Sequence, residues 1–294
     1  MVAGNALGPV IDLFDDSALV CFVKGHGTEN DFVLLPDRQN RIELTPDRVR
    51  RLCDRRAGIG GDGVIRIGTD PDGRFVMDYR NADGSLAEMC GNGARVFARF
   101  LFVSGWAPVG PVEFVTRGGI RTAAPAAGDR IAIGMGPAVV GGTSPTTVRR
   151  LAGGPAAHVG SMVDVGNPHL VVLTDEPVAV LDLATAPTHD DADFPTGVNV
   201  EFVNRTGTRA VRMRVHERGV GETRSCGTGT VAVAAALLHA DGVDAGRVVV
   251  DVPGGRVEVD VDPAGCTLTG PALLVGAGVI QGGWWDIGAA SGRE

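Results

Sequence analysis

The sequence has no stretch near the roughly 20 apolar residues that a membrane-spanning helix needs. Its longest apolar runs, around residues 18–23 and 231–238, are far shorter. Positive charge is also scarce: 27 Lys and Arg stand against 35 Asp and Glu, for a net charge of −8 and a pI near 5.3. That balance opposes a chain-wide attraction to nucleic acid or an anionic membrane, because binding phosphate takes an excess of cations on one face. Residues 1–17 contain no Lys or Arg and include Asp12, Asp15 and Asp16, unlike the basic opening of a secretory signal, so the cytoplasm is the expected compartment. Only five cysteines occur, with no C-x-x-C spacing, which argues against a disulfide framework or a structural zinc site. A cysteine that matters here is expected to be a reduced thiol, the partner a small molecule, and the metal complement none.

At 294 residues, 44% of them apolar, the chain is long enough for two domains with ample core. It carries one device twice. Cys90-Gly91-Asn92-Gly93 opens a segment with helical apolar spacing over 94–100, and Cys226-Gly227-Thr228-Gly229 opens another over 230–236. The offset, 226 − 90 = 136, also relates Met77 to Met213, Gly61 to Gly197 and Gly118-Gly119 to Gly254-Gly255, which predicts a duplicated unit. β-Branched or alternating runs at 32–35, 112–115, 170–173 and 248–252, separated by Gly, Pro and Asn turns, make the class mixed α/β. Thr45 as N-cap, Pro46 in the first turn and Val49, Leu52 and Cys53 on one face predict a further, structural helix. Gly141-Gly142-Thr143-Ser144-Pro145 has the composition of a connector. Leu268-Thr269-Gly270-Pro271 resembles Gly134-Met135-Gly136-Pro137, as though the chain beyond it returned to the first half. The expected domains are therefore residues 1–137, completed by 272–294, and residues 138–271, with 1–17 and 286–294 as mobile ends.

A cysteine at a helix N-terminus sits among unpaired backbone N–H groups at the positive end of the helix dipole, which favours thiolate and should lower its pKa. The Gly-x-Gly that follows clears side chains from where amides would approach a carboxylate or phosphate. Two such turns related by a pseudo-twofold axis would supply a thiolate base on one face of a carbon and a thiol acid on the other, which is what inversion at an amino acid's α-carbon requires. For Cys21, Cys53 and Cys266, which lack the Gly-x-Gly partner, burial as a small hydrophobe is the expected fate. A structural or regulatory disulfide is the competing reading of Cys90 and Cys226.

Asn81-Ala82-Asp83-Gly84-Ser85 followed by Met89-Cys90-Gly91-Asn92-Gly93-Ala94-Arg95 resembles the first active-site signature of the diaminopimelate epimerase family. Lys24-Gly25-His26-Gly27 with Asn30-Asp31-Phe32, Gly166-Asn167-Pro168-His169, Gly197-Val198-Asn199-Val200, Glu217-Arg218-Gly219, Glu222-Thr223 and Ser225-Cys226-Gly227-Thr228-Gly229 extend the resemblance over nearly the whole chain after residue 20. It implies a fold of two pseudo-symmetric α/β (α+β) domains, each a mixed, mostly antiparallel sheet wrapped around a central helix, with the active site in the cleft between them. It also implies epimerisation of LL-2,6-diaminopimelate to the meso form without a cofactor, with Cys90 and Cys226 as the acid–base pair and His169 and Glu217 tuning the thiols. The substrate-binding positions carried over are Asn30, Asn81, Gly91, Asn92, Asn167, Asn199, Glu217, Arg218, Gly227 and Thr228. The residue types suit a doubly zwitterionic substrate: amides serve ammonium and carboxylate groups, and a guanidinium grips a carboxylate with two bonds.

The sequence departs from the family pattern at two places. Gly63 stands where many relatives have a substrate-contacting Gln, and Gly276 where some have a Tyr at the dimer interface, which weakens the expectation of a homodimer. The competing functions are a racemase or isomerase of the same fold acting on another small acid, such as a proline racemase-like enzyme, and a thiol redox or amino-acid-binding protein.

Overall fold

The computed structural model describes Leu13, Phe14, Asp16 and residues 19–286. Most of the two expected mobile ends lies outside the described residues. Phe14, within the first of them, is instead buried, with its ring 5.5 Å from that of Phe100. The chain divides into two compact units, residues 1–131 with 272–294 and residues 132–271.

The first unit contains β1 (Val20–Gly27), β2 (Asn30–Pro36), α1 (Pro46–Cys53), β3 (Gly63–Thr69), β4 (Phe75–Asn81), α2 (Gly91–Val103), β5 (Val112–Thr116) and β6 (Gly119–Ala126). The chain passes to the second unit within β7 (Arg130–Gly136). There it forms β8 (Val139–Arg150), β9 (Ala156–Asp164), β10 (Pro168–Leu173), β11 (Leu181–Asp182), β12 (Asn199–Gly207), β13 (Ala210–Glu217), β14 (Gly221–Thr223), α3 (Gly227–Ala240), β15 (Gly246–Val252), β16 (Gly255–Asp262) and β17 (Gly265–Pro271). β18 (Leu273–Ile280) and the short α4 (Gly282–Trp285) belong to the first unit, where β18 pairs antiparallel with β1.

The duplication is visible in the strand pairings. From β1 to β6 the successive pairs run antiparallel, parallel, antiparallel, parallel, antiparallel. The series β9, β10, β12, β13, β15, β16 repeats that order in the second unit. β8 lies against β9 as β18 lies against β1, both antiparallel. Parallel neighbours need a crossover, and in each unit the central helix follows the fourth strand of the series and precedes the fifth.

Each helix is the core of its own unit. Twelve of the thirteen α2 residues are buried, and Val96, Phe97, Phe100 and Leu101 are fully so, each worth about 1.5–3 kcal/mol relative to exposure. α3 is apolar on all sides because strands surround it, with residues 229–238 buried throughout. α1 forms as its sequence predicts: the Thr45 side chain accepts from the Arg48 N–H, and Val49, Leu52 and Cys53 face inward. The four strand-like runs read from sequence lie in β2, β5, β10 and β15. The expected connector differs. Gly141-Gly142-Thr143-Ser144-Pro145 lies inside β8, and the register on β9 shifts between Val140 and Thr143, so the glycines form a bulge in a continuous strand rather than a linker. Among the described residues, no helix is long and apolar enough to cross a membrane.

Candidate active site

Both predicted thiols are the N-cap residues of the central helices. Cys90 (φ −133°, ψ 115°) and Cys226 (φ −120°, ψ 117°) are extended, and their Sγ atoms accept from the N–H groups of Gly93 (3.4 Å) and Gly229 (3.3 Å). Sulfur therefore takes the place of the hydroxyl or carboxylate oxygen usual at an N-cap. All five cysteines are free; Cys90 is half-buried and Cys226 buried.

In the first unit, Asn30, Asn92 and Cys90 come together. Asn30 Oδ1 lies 3.7 Å from the thiol and accepts from Asn92 Nδ2 at 3.1 Å, while Asn30 Nδ2 donates to Asp62 at 2.8 Å. Asp62 is anchored by Arg55, which also binds both oxygens of Asp31. Burial pushes the Asp31 carboxyl up, but hydrogen bonds from Arg55 and Lys24 outweigh it and hold that group below the usual carboxylate range. Asn81 is held at the end of β4: Nδ2 donates to Ser85 Oγ at 3.0 Å, and Oδ1 accepts from the Tyr79 hydroxyl at 3.0 Å. Tyr79 also accounts for Gly63, since a Cβ there would fall 2.6 Å from the ring's Cε2 and 2.6 Å from the Arg80 carbonyl. The ring closes the space that a longer side chain at 63 would use.

Arg95, absent from the predicted set, lies fully buried beneath the Cys90 turn. It donates to the Gly91 carbonyl, to Asn92 Oδ1 at 2.9 Å and to Thr28 Oγ1 at 3.1 Å. Burial pulls the guanidinium down to about 10, opposed by charge at Cys90, so it stays cationic at neutral pH. Its place in the family-like run Gly91-Asn92-Gly93-Ala94-Arg95 was a usable signal.

In the second unit, His169, Asn167, Glu217, Thr228 and Cys226 form one cluster. Glu217 accepts from the Thr223 hydroxyl and acts on the Cys226 thiol through its charge; Cys226 Sγ lies 3.4 Å from Thr228 Oγ1. Asn199 Oδ1 accepts from the Arg218 backbone N–H at 2.8 Å. The Arg218 guanidinium donates to Thr196, and the residue is exposed. Glu201 was missed by sequence reasoning. Its carboxylate and the His169 ring are fully buried, with Oε1 2.7 Å from His169 Nδ1.

The expectation that the helix terminus would lower the thiol pKa is reversed at Cys226. Burial raises it well above the ordinary thiol value, Glu217 and Glu201 add to the rise, and the bonds from Thr228 and Gly229 offset only part of it. Burial likewise pushes the Glu217 carboxyl up. The cysteines read as structural are buried, and burial raises all three, Cys53 to about 12 and Cys266 to about 11. Among the described residues, no group of three or more His, Cys, Asp or Glu is placed to hold a metal ion.

The chain has relatives among known proteins. The diaminopimelate epimerase family model matches residues 22–141 and 161–275. A diaminopimelate epimerase of Rhodococcus jostii (strain RHA1) is 48% identical over 290 residues, covering 90% of this chain and 98% of the relative. One from Corynebacterium glutamicum is 48% identical over 276 residues, covering 88% and 98%. In fold, the chain is similar to a crystal structure of a hydroxyproline epimerase from Agrobacterium vitis with trans-4-hydroxy-L-proline bound, at a TM-score of 0.63 and 16% identity, covering 90% of this chain and 93% of the other. With a family model spanning both halves and relatives near half identity over nearly their full length, this chain belongs to the diaminopimelate epimerase family.

Proposed function

We propose that this protein is a cofactor-independent isomerase that interconverts LL-2,6-diaminopimelate and meso-2,6-diaminopimelate, with Cys90 and Cys226 as its two proton carriers. The observation that carries this reading is a pair of thiols capping two duplicated helices in a chain of this family. A thiolate takes the α-hydrogen as a proton, leaving the electron pair on the α-carbon; the other thiol then gives its proton to the opposite face. The enzyme ends with the thiol and thiolate exchanged and the stereocentre inverted.

The carbanion is far more basic than a thiolate, so the site has to stabilise it. Amide N–H groups in the Gly91-Asn92 and Gly227-Thr228 turns, at the positive ends of α2 and α3, would hold the α-carboxylate; by analogy with an oxyanion hole, each well-aimed donor contributes about 2.7–4 kcal/mol. Cys226 fits the acid role at rest, because its buried surroundings favour the neutral thiol. The charge of Glu217 raises the Cys226 thiol further and so adjusts its protonation. Asn30, Asn81, Asn167, Asn199 and Arg218 supply donors and acceptors for the substrate's amino and carboxylate groups; of these, Asn81, Asn199 and Arg218 serve its second amino-acid end, with Arg218 gripping a carboxylate.

The test is deuterium incorporation. Purified protein stripped of metals and pyridoxal phosphate, incubated with LL-diaminopimelate in heavy water, should yield meso product labelled at the inverted α-carbon and leave proline unlabelled. Label entering proline, or no label entering diaminopimelate, would overturn the proposal.

A further inference from the structure

The pair His169–Glu201 breaks the internal symmetry in a way that the fold does not require. In the parallel pairing of β2 with β3, Phe32 stands opposite Gly63 and Leu34 opposite Ile65; in that of β10 with β12, His169 stands opposite Asn199 and Val171 opposite Glu201. By register, His169 occupies the place of Phe32, and Glu201 that of Ile65. The helix turns above them agree. A Cβ at Gly93 would meet Ile65 Cδ1 at 3.0 Å, Met77 Cε at 3.1 Å and Phe32 Cζ at 3.4 Å, whereas one at Gly229 would meet Glu201 Oε1 at 2.5 Å. One copy of the fold thus closes this site with two hydrocarbons, and the other with a buried ionisable pair.

Replacing a buried ion pair with well-packed apolar residues is often neutral or stabilising, so stability alone does not explain the second arrangement. Nor is Glu201 fully used by its neighbours: its second oxygen, Oε2, is buried with no hydrogen-bond partner among the described residues. The groups facing this carboxylate are His169 from β10, Glu217 from β13, and Cys226 with the positive end of α3. Because a carboxylate can only accept, the proton on the shared 2.7 Å edge belongs to His169 Nδ1. Nε2 lies 3.2 Å from Asn167 Oδ1, an oxygen that can only accept from it, and Asn167 is a predicted substrate contact.

We propose that Glu201 is a positioning residue for the epimerisation: it fixes the His169 ring with Nδ1 protonated and Nε2 presented to Asn167 and the substrate. The inference rests on the function proposed above. Glu201 itself need not touch the substrate.

The test uses the full-length enzyme with Glu201→Ile, the residue of the matching place in the first unit, and Glu201→Gln as the smaller change. Exchange kinetics should show kcat lowered by about 10–100-fold with KM little changed, the range for losing an orienting partner of a functional histidine. Combined with His169→Asn, neither change at 201 should cost anything further. In ¹⁵N spectra of the ring, the Nδ1–H signal seen in wild type should be lost or displaced in Glu201→Ile. The double variant His169→Phe/Glu201→Ile, which transplants the first unit's pair, should melt no lower than wild type while remaining impaired, separating positioning from fold maintenance. Wild-type kcat in Glu201→Ile, an equal loss in the His169→Asn background, or an unchanged ring spectrum would each overturn the proposal. Absence of α-hydrogen exchange by the wild type would instead sink the functional reading, while the ring spectra would still report on the pair.

Discussion

The first turn of α2 rests on Phe32, Ile65 and Met77, with the cation Arg95 at its inner side; the first turn of α3 rests on the carboxylate of Glu201, and Val231 stands where Arg95 would. The offset is the same as for the thiols, 231 − 95 = 136. Duplication preserved the backbone device, a cysteine N-cap followed by Gly-x-Gly, and varied the charge placed beneath it. A reaction that needs one proton donor and one acceptor gains from such an imbalance, because identical surroundings would push both thiols toward the same protonation state.

The comparison fails outright if either thiol is dispensable. Cys90→Ala and Cys226→Ala should each lower kcat by about 10²–10⁴-fold, the usual contribution of a positioned acid or base, when deuterium exchange is followed from both the LL and the meso substrate. A variant retaining wild-type turnover would show that one half alone carries the chemistry.

The two glycines offer a second contrast. Gly229→Ala drives a methyl group onto the Glu201 carboxylate, so overpacking of about 1–3 kcal/mol is expected in denaturant melts. Gly93→Ala should be close to neutral, since its neighbours at 3.0–3.4 Å are the ends of side chains that can shift, and alanine favours the helix by about 1 kcal/mol over glycine. Equal costs would mean that the two turns are supported alike.

The smallest expected effect is a shift in titration. With Cys90 replaced, alkylation of Cys226 by iodoacetamide should rise only at pH values above the ordinary thiol pKa of roughly 8.5, and Glu217→Gln should bring that rise to lower pH. The sign carries over to stability. A thiol whose pKa is raised on folding contributes stability that is fully present below its unfolded value and lost as pH climbs toward the folded one. Melting temperature should therefore fall above about pH 8.5, and less steeply in Cys226→Ala, where only the buried Cys21, Cys53 and Cys266 still contribute.

Much of the architecture was legible in local pattern. The cap, proline and apolar face of α1, the four β-branched runs and the repeated turns all depend on residues close in sequence, and the structure places each as read. Gly141-Gly142 misled because two glycines suit a linker and a bulge equally; pairing with β9, a contact distant in sequence, made the choice. Glu201 left a trace that was passed over, a lone acid in the strand run Val200-Glu201-Phe202-Val203 where every neighbour is apolar and buried. Tyr79 left none, since only the packing of β4 on β3 brings its ring to Gly63.

The sequence by itself determined the duplication, the two cysteines ahead of Gly-x-Gly turns and the family, because these are properties of order and spacing along the chain. Tertiary structure decided what lies beneath each thiol, and with it the upward shift at Cys226 that the helix dipole alone would have reversed. Desolvation and the charges of Glu201 and Glu217 act through space, so neither can be read from a cysteine's immediate neighbours in the chain.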